Sequence, residues 1–145
     1  MLKRYTFWLW VTVVVQLLTA AVHSISLFIT PAPTNDTERQ LIDILMNTRL
    51  DMGAGIHRSP MNLFIALSTC FSLLYLLAAL INIYLLRKKV DPGLVRGMVG
   101  IQLVVLGVYF CVAVMLTFLL PITFTGLVFV TLAITFFLTP KVSNE

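Results

Sequence analysis

The stretch Gly97–Leu138, GMVGIQLVVLGVYFCVAVMLTFLLPITFTGLVFVTLAITFFL, is almost unbroken apolar sequence with one proline, Pro121, near its middle. A bilayer core of about 30 Å takes about 20 helical residues, so this block is two spans rather than one. Proline lacks the N–H that a helix interior needs, which places a tight turn at Leu120–Thr123. Working outward, Met61–Leu86 and Thr6–Ile29 are two further runs of spanning length. The expected spans are thus about 6–29, 61–86, 97–119 and 122–138. Backbone groups in lipid must be paired internally, and the runs do not alternate as barrel strands do, so all four are helices.

Composition agrees. Hydrophobic residues make up 59% and charged residues 11%, with mean hydropathy +0.99. Globular chains average about 45–50% and about 25%. A chain of 145 residues this apolar has no water-facing shell and no second domain. The expectation is an all-α integral membrane four-helix bundle, a single domain over 1–145. Lys3 and Arg4 before an apolar run suggest a secretory leader, but the run exceeds the usual leader core and no small-x-small cleavage site follows.

The net charge of +4 serves orientation, because the bases flank the apolar runs and no nucleic-acid module is present. Lys3, Arg4, Arg87, Lys88, Lys89, Arg96 and Lys141 lie on one side, seven in all, against Arg39, Arg49 and Arg58 on the other. Both termini are therefore expected in the cytoplasm. Tyr5, Trp8, Trp10 and Tyr84 then form an aromatic belt at the inner interface.

The outer connection from Pro31 to Ser59 has its own design. Pro31 and Pro33 end the first helix, and Thr37-Glu38-Arg39-Gln40 reads as a capping box. Leu41, Ile44, Leu45 and Thr48 share one face of the following turns, and Arg39, Asp43 and Asn47 another. A short amphipathic helix, Thr37–Thr48, is expected on the membrane surface or folded over the bundle as a lid. Asn35-Asp36-Thr37 matches a glycosylation acceptor and reads more simply as the approach to the cap. Gly53-Ala54-Gly55 breaks the helix and lets the cover move, and Ser59-Pro60 opens the second span.

None of the spans so drawn contains Asp, Glu, Lys or Arg, which argues against proton-coupled carriers and against sterol isomerases with buried acids. Cys70 and Cys111 form neither a CxxC pair nor a zinc motif, which argues against a vitamin K reductase-like enzyme. Thr12, Gln16, Thr19, His23 and Ser26 recur on one stripe of the first helix, as interhelical hydrogen-bonding groups do. His23 differs from the rest, since imidazole can bind a ligand or carry a proton. His57, Arg58 and Asn62 gather near the outer end of the second helix, with Thr69 one heptad deeper. Gly100 and Gly107, with Gly97 and Ala113, mark close helix approach, and Thr131, Thr135 and Thr139 a packing seam.

The run Gly55-Ile56-His57-Arg58-Ser59-Pro60-Met61-Asn62-Leu63-Phe64 resembles the G-x-x-R-S-aromatic-W-D-F-aromatic signature of a group of small bacterial four-helix membrane proteins. More distantly, the plan is similar to DoxX-like proteins. Pro60 and Met61 replace the aromatic pair, and Asn62 the acid. The resemblance covers the first two helices and their loop. It implies a bacterial inner membrane and one cluster of His23, Arg58, Ser59 and Asn62.

The expected activity is non-enzymatic. The bundle would bind a small hydrophobic or amphiphilic ligand, or a membrane partner, through His23, His57, Arg58, Asn62, Gln16 and Thr69 at the outer face. The rival class is a membrane enzyme or haem- or quinone-handling subunit using His23. A channel needs a wet path, which four uncharged helices supply only as a homo-oligomer. No motif specifies a cofactor.

Overall fold

The starts of α2, α3 and α4 follow from local capping signals, and several helix boundaries lie a few residues from where hydropathy alone puts them. The computed structural model describes residues 2–29 and 32–141; the side chains of Leu2, Lys3 and Ser26, and Pro31 as a whole, fall outside it. Five helices and a small hairpin follow in the order α1 (Leu2–Ser26), α2 (Asp36–Asn47), β1 (Leu50–Asp51), β2 (His57–Arg58), α3 (Pro60–Lys88), α4 (Pro92–Leu116) and α5 (Leu119–Leu138). α1, α3, α4 and α5 are long and apolar enough to cross a membrane.

The α2 cap sits two residues earlier than expected. Asn35, not Thr37, is the N-cap, and its side chain accepts from the Glu38 N–H at 2.8 Å. Glu38 reaches back to the Thr34 N–H and hydroxyl, both at 2.7 Å. This is a capping-box variant on Asn-x-x-Glu, in which the acid reaches the residue before the N-cap. α2 stops at the Thr48 cap, before the glycines. Gly53, Ala54 and Gly55, all at positive φ, instead form the turn that pairs β1 with β2, Leu50 opposite Arg58 and Asp51 opposite His57. The Asp51 carboxylate accepts from the Gly53 N–H, and Met52 and Ile56 close the loop. The glycines therefore form the turn of a hairpin rather than the end of α2.

α3 opens as expected, with Ser59 Oγ accepting from the Asn62 N–H and Pro60 in the first turn. It ends in a Schellman turn with Lys89 at φ 50 and Val90 N–H bonded to Leu85 O. Asp91 then caps α4 by accepting from Gly93 and Leu94, and Pro92 fills the first position. α4 thus starts five residues before Gly97, which brings Arg96 into the helix. The break between α4 and α5 lies at Thr117–Phe118 rather than Leu120–Thr123. Pro121 sits in the first turn of α5, where a missing N–H costs nothing.

The chain divides into two compact units, Met1–Ala20 with Leu74–Glu145, and Ala21–Leu73. The first has a hydrophobic core that includes Leu9, Tyr75, Leu85, Val99, Leu106 and Leu132. Its positions recur every three or four residues on each helix, the signature of interlocking side chains. Tyr5, at 6% exposure, belongs to this core and not to an interfacial belt, whereas Trp10 and Tyr84 are exposed. α4 and α5 run antiparallel, and aromatic rings fill the space that glycines leave. A Cβ on Gly100 would lie 3.1 Å from the Phe136 ring, one on Gly107 3.0 Å from Phe129, and one on Gly126 3.1 Å from Phe110. Gly97 faces open space instead. Thr131, Thr135 and Thr139 are buried, each bonding the carbonyl four residues back, and form the expected seam. The second unit is built differently. Among its described residues no apolar side chain is buried, and the buried ones are Ser59, Ser68 and Ser72.

Candidate functional site

The polar stripe of α1 meets partners from three other helices. In the first unit, Gln16 and Asn82 are fully buried and close a ring of amides with Gln102. Gln16 Nε2 donates to Gln102 Oε1 at 3.1 Å, and Asn82 Nδ2 donates to Gln16 Oε1 and Gln102 Oε1, both at 3.0 Å. Gln102 Nε2 returns to Asn82 Oδ1 at 2.9 Å. Each carbonyl oxygen is occupied and each amide nitrogen donates. A neutral ring of this kind holds α1, α3 and α4 in register and offers no group that titrates or attacks. One helical turn away, the Thr12 and Thr135 hydroxyls meet at 3.3 Å, tying α1 to α5. Gln16 is thus joined to Asn82 and Gln102, and it does not belong to the same unit as the other predicted site residues.

Those residues lie in the Ala21–Leu73 unit. His23 is half-buried, with its ring edge-on to Phe71 at 6.5 Å between centroids. Ser68 and Ser72 are buried one turn apart on α3. His57 and Arg58 are exposed on β2, with the Arg58 guanidinium bonded to the His57 carbonyl at 3.1 Å. Asn62 is exposed, and its backbone N–H rather than its amide is engaged, at Ser59. Thr69 is exposed too, its hydroxyl turned onto Ile65 O of its own helix. Cys70 and Cys111 are exposed free thiols.

α2 carries its apolar face largely bare. Leu41 is 53% and Ile44 56% exposed, and no residue of the helix is buried. Leu50, Met52 and Ile56 extend the apolar surface over the hairpin. On the opposite face of α2, Asn47 donates to Asp43 at 2.6 Å, and Arg39 lies 3.8 Å from Asp36. The expected split of faces is therefore present, from a different cap. Thr34, through its N–H and then its hydroxyl, holds the Glu38 carboxyl below its ordinary value.

Arg96 departs most from expectation. Read as a base in the connection between spans, it instead donates from Nη1 to Phe136 O at 2.7 Å and Thr139 O at 2.6 Å. Its guanidinium carbon lies 4.1 Å over the Phe136 ring. Arg96 thereby caps the C-terminus of α5, where a cation suits both the free carbonyls and the helix dipole. Sequence reasoning passed over Gln102 as well. Its signal was a lone amide in an apolar span, which in lipid must face a neighbouring helix.

Among the described residues no group of three or more His, Cys, Asp or Glu is placed to hold a metal ion. Comparison of the chain with protein-family profiles, curated proteins and solved structures finds no match.

Proposed function

We propose that the chain is a four-span protein of a bacterial inner membrane, with both termini cytoplasmic. In this reading it acts without catalysis, holding a hydrophobic or amphiphilic ligand against the Ala21–Leu73 segment. The observation that carries the reading is the missing core of that segment. Among its described residues it buries three serines and no apolar side chain, while Leu41, Ile44, Leu50, Met52 and Ile56 stand bare. Apolar surface exposed over so much of a segment is stabilised only by covering it, with acyl chains or an apolar ligand. His23 and Phe71 supply an aromatic floor, and Arg58, always charged, suits the carboxylate or phosphate of an amphiphile's head. Membership of the small four-helix bacterial group belongs to the same proposal and rests on Gly55, Arg58 and Ser59, with Asn62 in place of the acid.

The test is mass spectrometry of what co-purifies in mild detergent. An amphiphile retained by the wild-type protein should be lost from Leu41→Ser/Ile44→Ser and depleted in Arg58→Ala and His23→Ala. Arg87→Ala, exposed at the far end of α3, should retain it. Equal retention in every variant would remove the ligand reading. A haem absorption band abolished by His23→Ala would replace it with the redox-subunit class.

A further inference from the structure

We infer that the α4–α5 hairpin carries a separate site for an anionic phospholipid, with its headgroup at Arg96 and Lys141. The site does not depend on the ligand proposed for Ala21–Leu73. An open groove of about 810 Å³ runs along this hairpin, lined by Arg96, Gly97, Gly100, Val104, Phe136 and Lys141 among others. Both charged residues of its lining are bases, and no acid lines it. Basic recesses between membrane helices recognise the head groups of anionic lipids.

Arg96 is held ready for such a head. Of the five N–H donors of a guanidinium, two are used on Phe136 O and Thr139 O, which leaves three. The carbonyl end of a helix offsets only about half a unit charge, so the site stays cationic. Phe136 beneath the guanidinium fixes its plane, and Gly100 lets Phe136 lie close against α4.

The dimensions fit one acyl chain. From Arg96 to Val104 the rise along α4 is about 12 Å, close to half of a hydrocarbon core of about 30 Å. The groove therefore reaches from a headgroup level toward the bilayer middle, and its floor beyond Arg96 is glycine and aliphatic. Gly97 leaves a gap, for a Cβ there would meet no atom within 4 Å. A second copy of the chain, the other natural occupant of a small-residue face, would bring Arg96 and Lys141 of two molecules together, and like charges oppose it.

The test uses the full chain in mild detergent, titrated with phosphatidylglycerol, with phosphatidylcholine of the same acyl chains, and with inorganic phosphate. Bound lipid is read by native mass spectrometry and melting temperature by fluorescence. Phosphatidylglycerol should be preferred roughly 30-fold, about fivefold for each of the two bases. Lys141→Gln should reduce the preference to about fivefold. Gly97→Leu, which puts a side chain into the groove from a position where its Cβ meets no atom within 4 Å, should abolish binding with no loss in the lipid-free melting temperature. Equal binding of the two lipids, or retention by Gly97→Leu, overturns the site. So does equal stabilisation by inorganic phosphate, which means a free anion, or a dimer that Gly97→Leu dissociates, which means a second copy.

Discussion

Asn82 takes part in three of the four hydrogen bonds that close the amide ring, whereas Gln16 takes part in two. The two amides should therefore differ in what their loss does. Gln16→Leu leaves Asn82 and Gln102 bonded to each other and should lower stability by about 1 kcal/mol, near the average for interhelical bonds in membranes. Asn82→Leu leaves Gln16 and Gln102 joined by one bond, with Gln16 Oε1 and Gln102 Nε2 unpaired, and should cost about 1–3 kcal/mol. Replacing Gln16, Asn82 and Gln102 together by leucine removes every unsatisfied group, and should cost less than Asn82→Leu alone. Reversible unfolding in detergent gives the comparison, and a triple variant worse than each single one would contradict it. The stripe from Thr12 to Thr19 was legible in the sequence because its spacing is that of a helix face. Its partners were not, because a single amide carries no period of its own and only the fold selects its neighbour. Arg96 was misplaced for a related reason. Hydropathy counts it as polar and ends the span, whereas the Asp91-Pro92 cap extends the helix past it.

The turn from α3 to α4 joins a Schellman end to an Asp cap with Lys89 in the left-handed region. An L-residue there is disfavoured by about 1–2 kcal/mol, and glycine is freed from that penalty at some loss of unfolded-state order. Lys89→Gly should thus raise stability by about 0.5–1 kcal/mol, seen as a higher melting temperature, while Lys89→Ala should give no gain. The cap of α2 responds to pH instead. Thr34 holds the Glu38 carboxyl below its ordinary 4.5, so the folded state favours the ionised form. That stabilisation is present in full above the unfolded value and is lost as pH falls through the lower, folded one. Fraying of the first turn of α2, followed by amide exchange at Glu38, should therefore appear only below pH 4.5, and Glu38→Gln should show it at neutral pH. Amphipathic periodicity made α2 visible in the sequence, though its cap fell two residues early, because Thr37 and Asn35 offer equivalent oxygens and only Asn35 has an acid three residues on. The hairpin at 50–58 was not legible, since two residue pairs are too few to establish an alternating pattern.

The proposed reading has four spans, an even number that puts both termini on one side, and in it the bases choose which. Hydropathy made the number of helices legible, because length against bilayer thickness is a coarse quantity that errors of a few residues at each end do not disturb. The orientation rests on a count that the structure alters only slightly. Arg96, now committed to Phe136 and Thr139, still lies within the first two turns of α4, where bases count toward retention on the cytoplasmic side. Without it the balance falls from seven against three to six against three and keeps its sign. Reporter fusions after Glu145 should be active only in the cytoplasm, and an insertion next to Arg49 only outside. The count also says how to break the topology. Neutralising Lys3, Arg4, Arg87, Lys88 and Lys89 to glutamine leaves Arg96 and Lys141, two bases, against the three at Arg39, Arg49 and Arg58. Such a chain should insert in both orientations or in the inverted one, so the fusion after Glu145 should gain activity outside. A variant that kept all its reporter activity in the cytoplasm would show that features other than these bases orient the bundle.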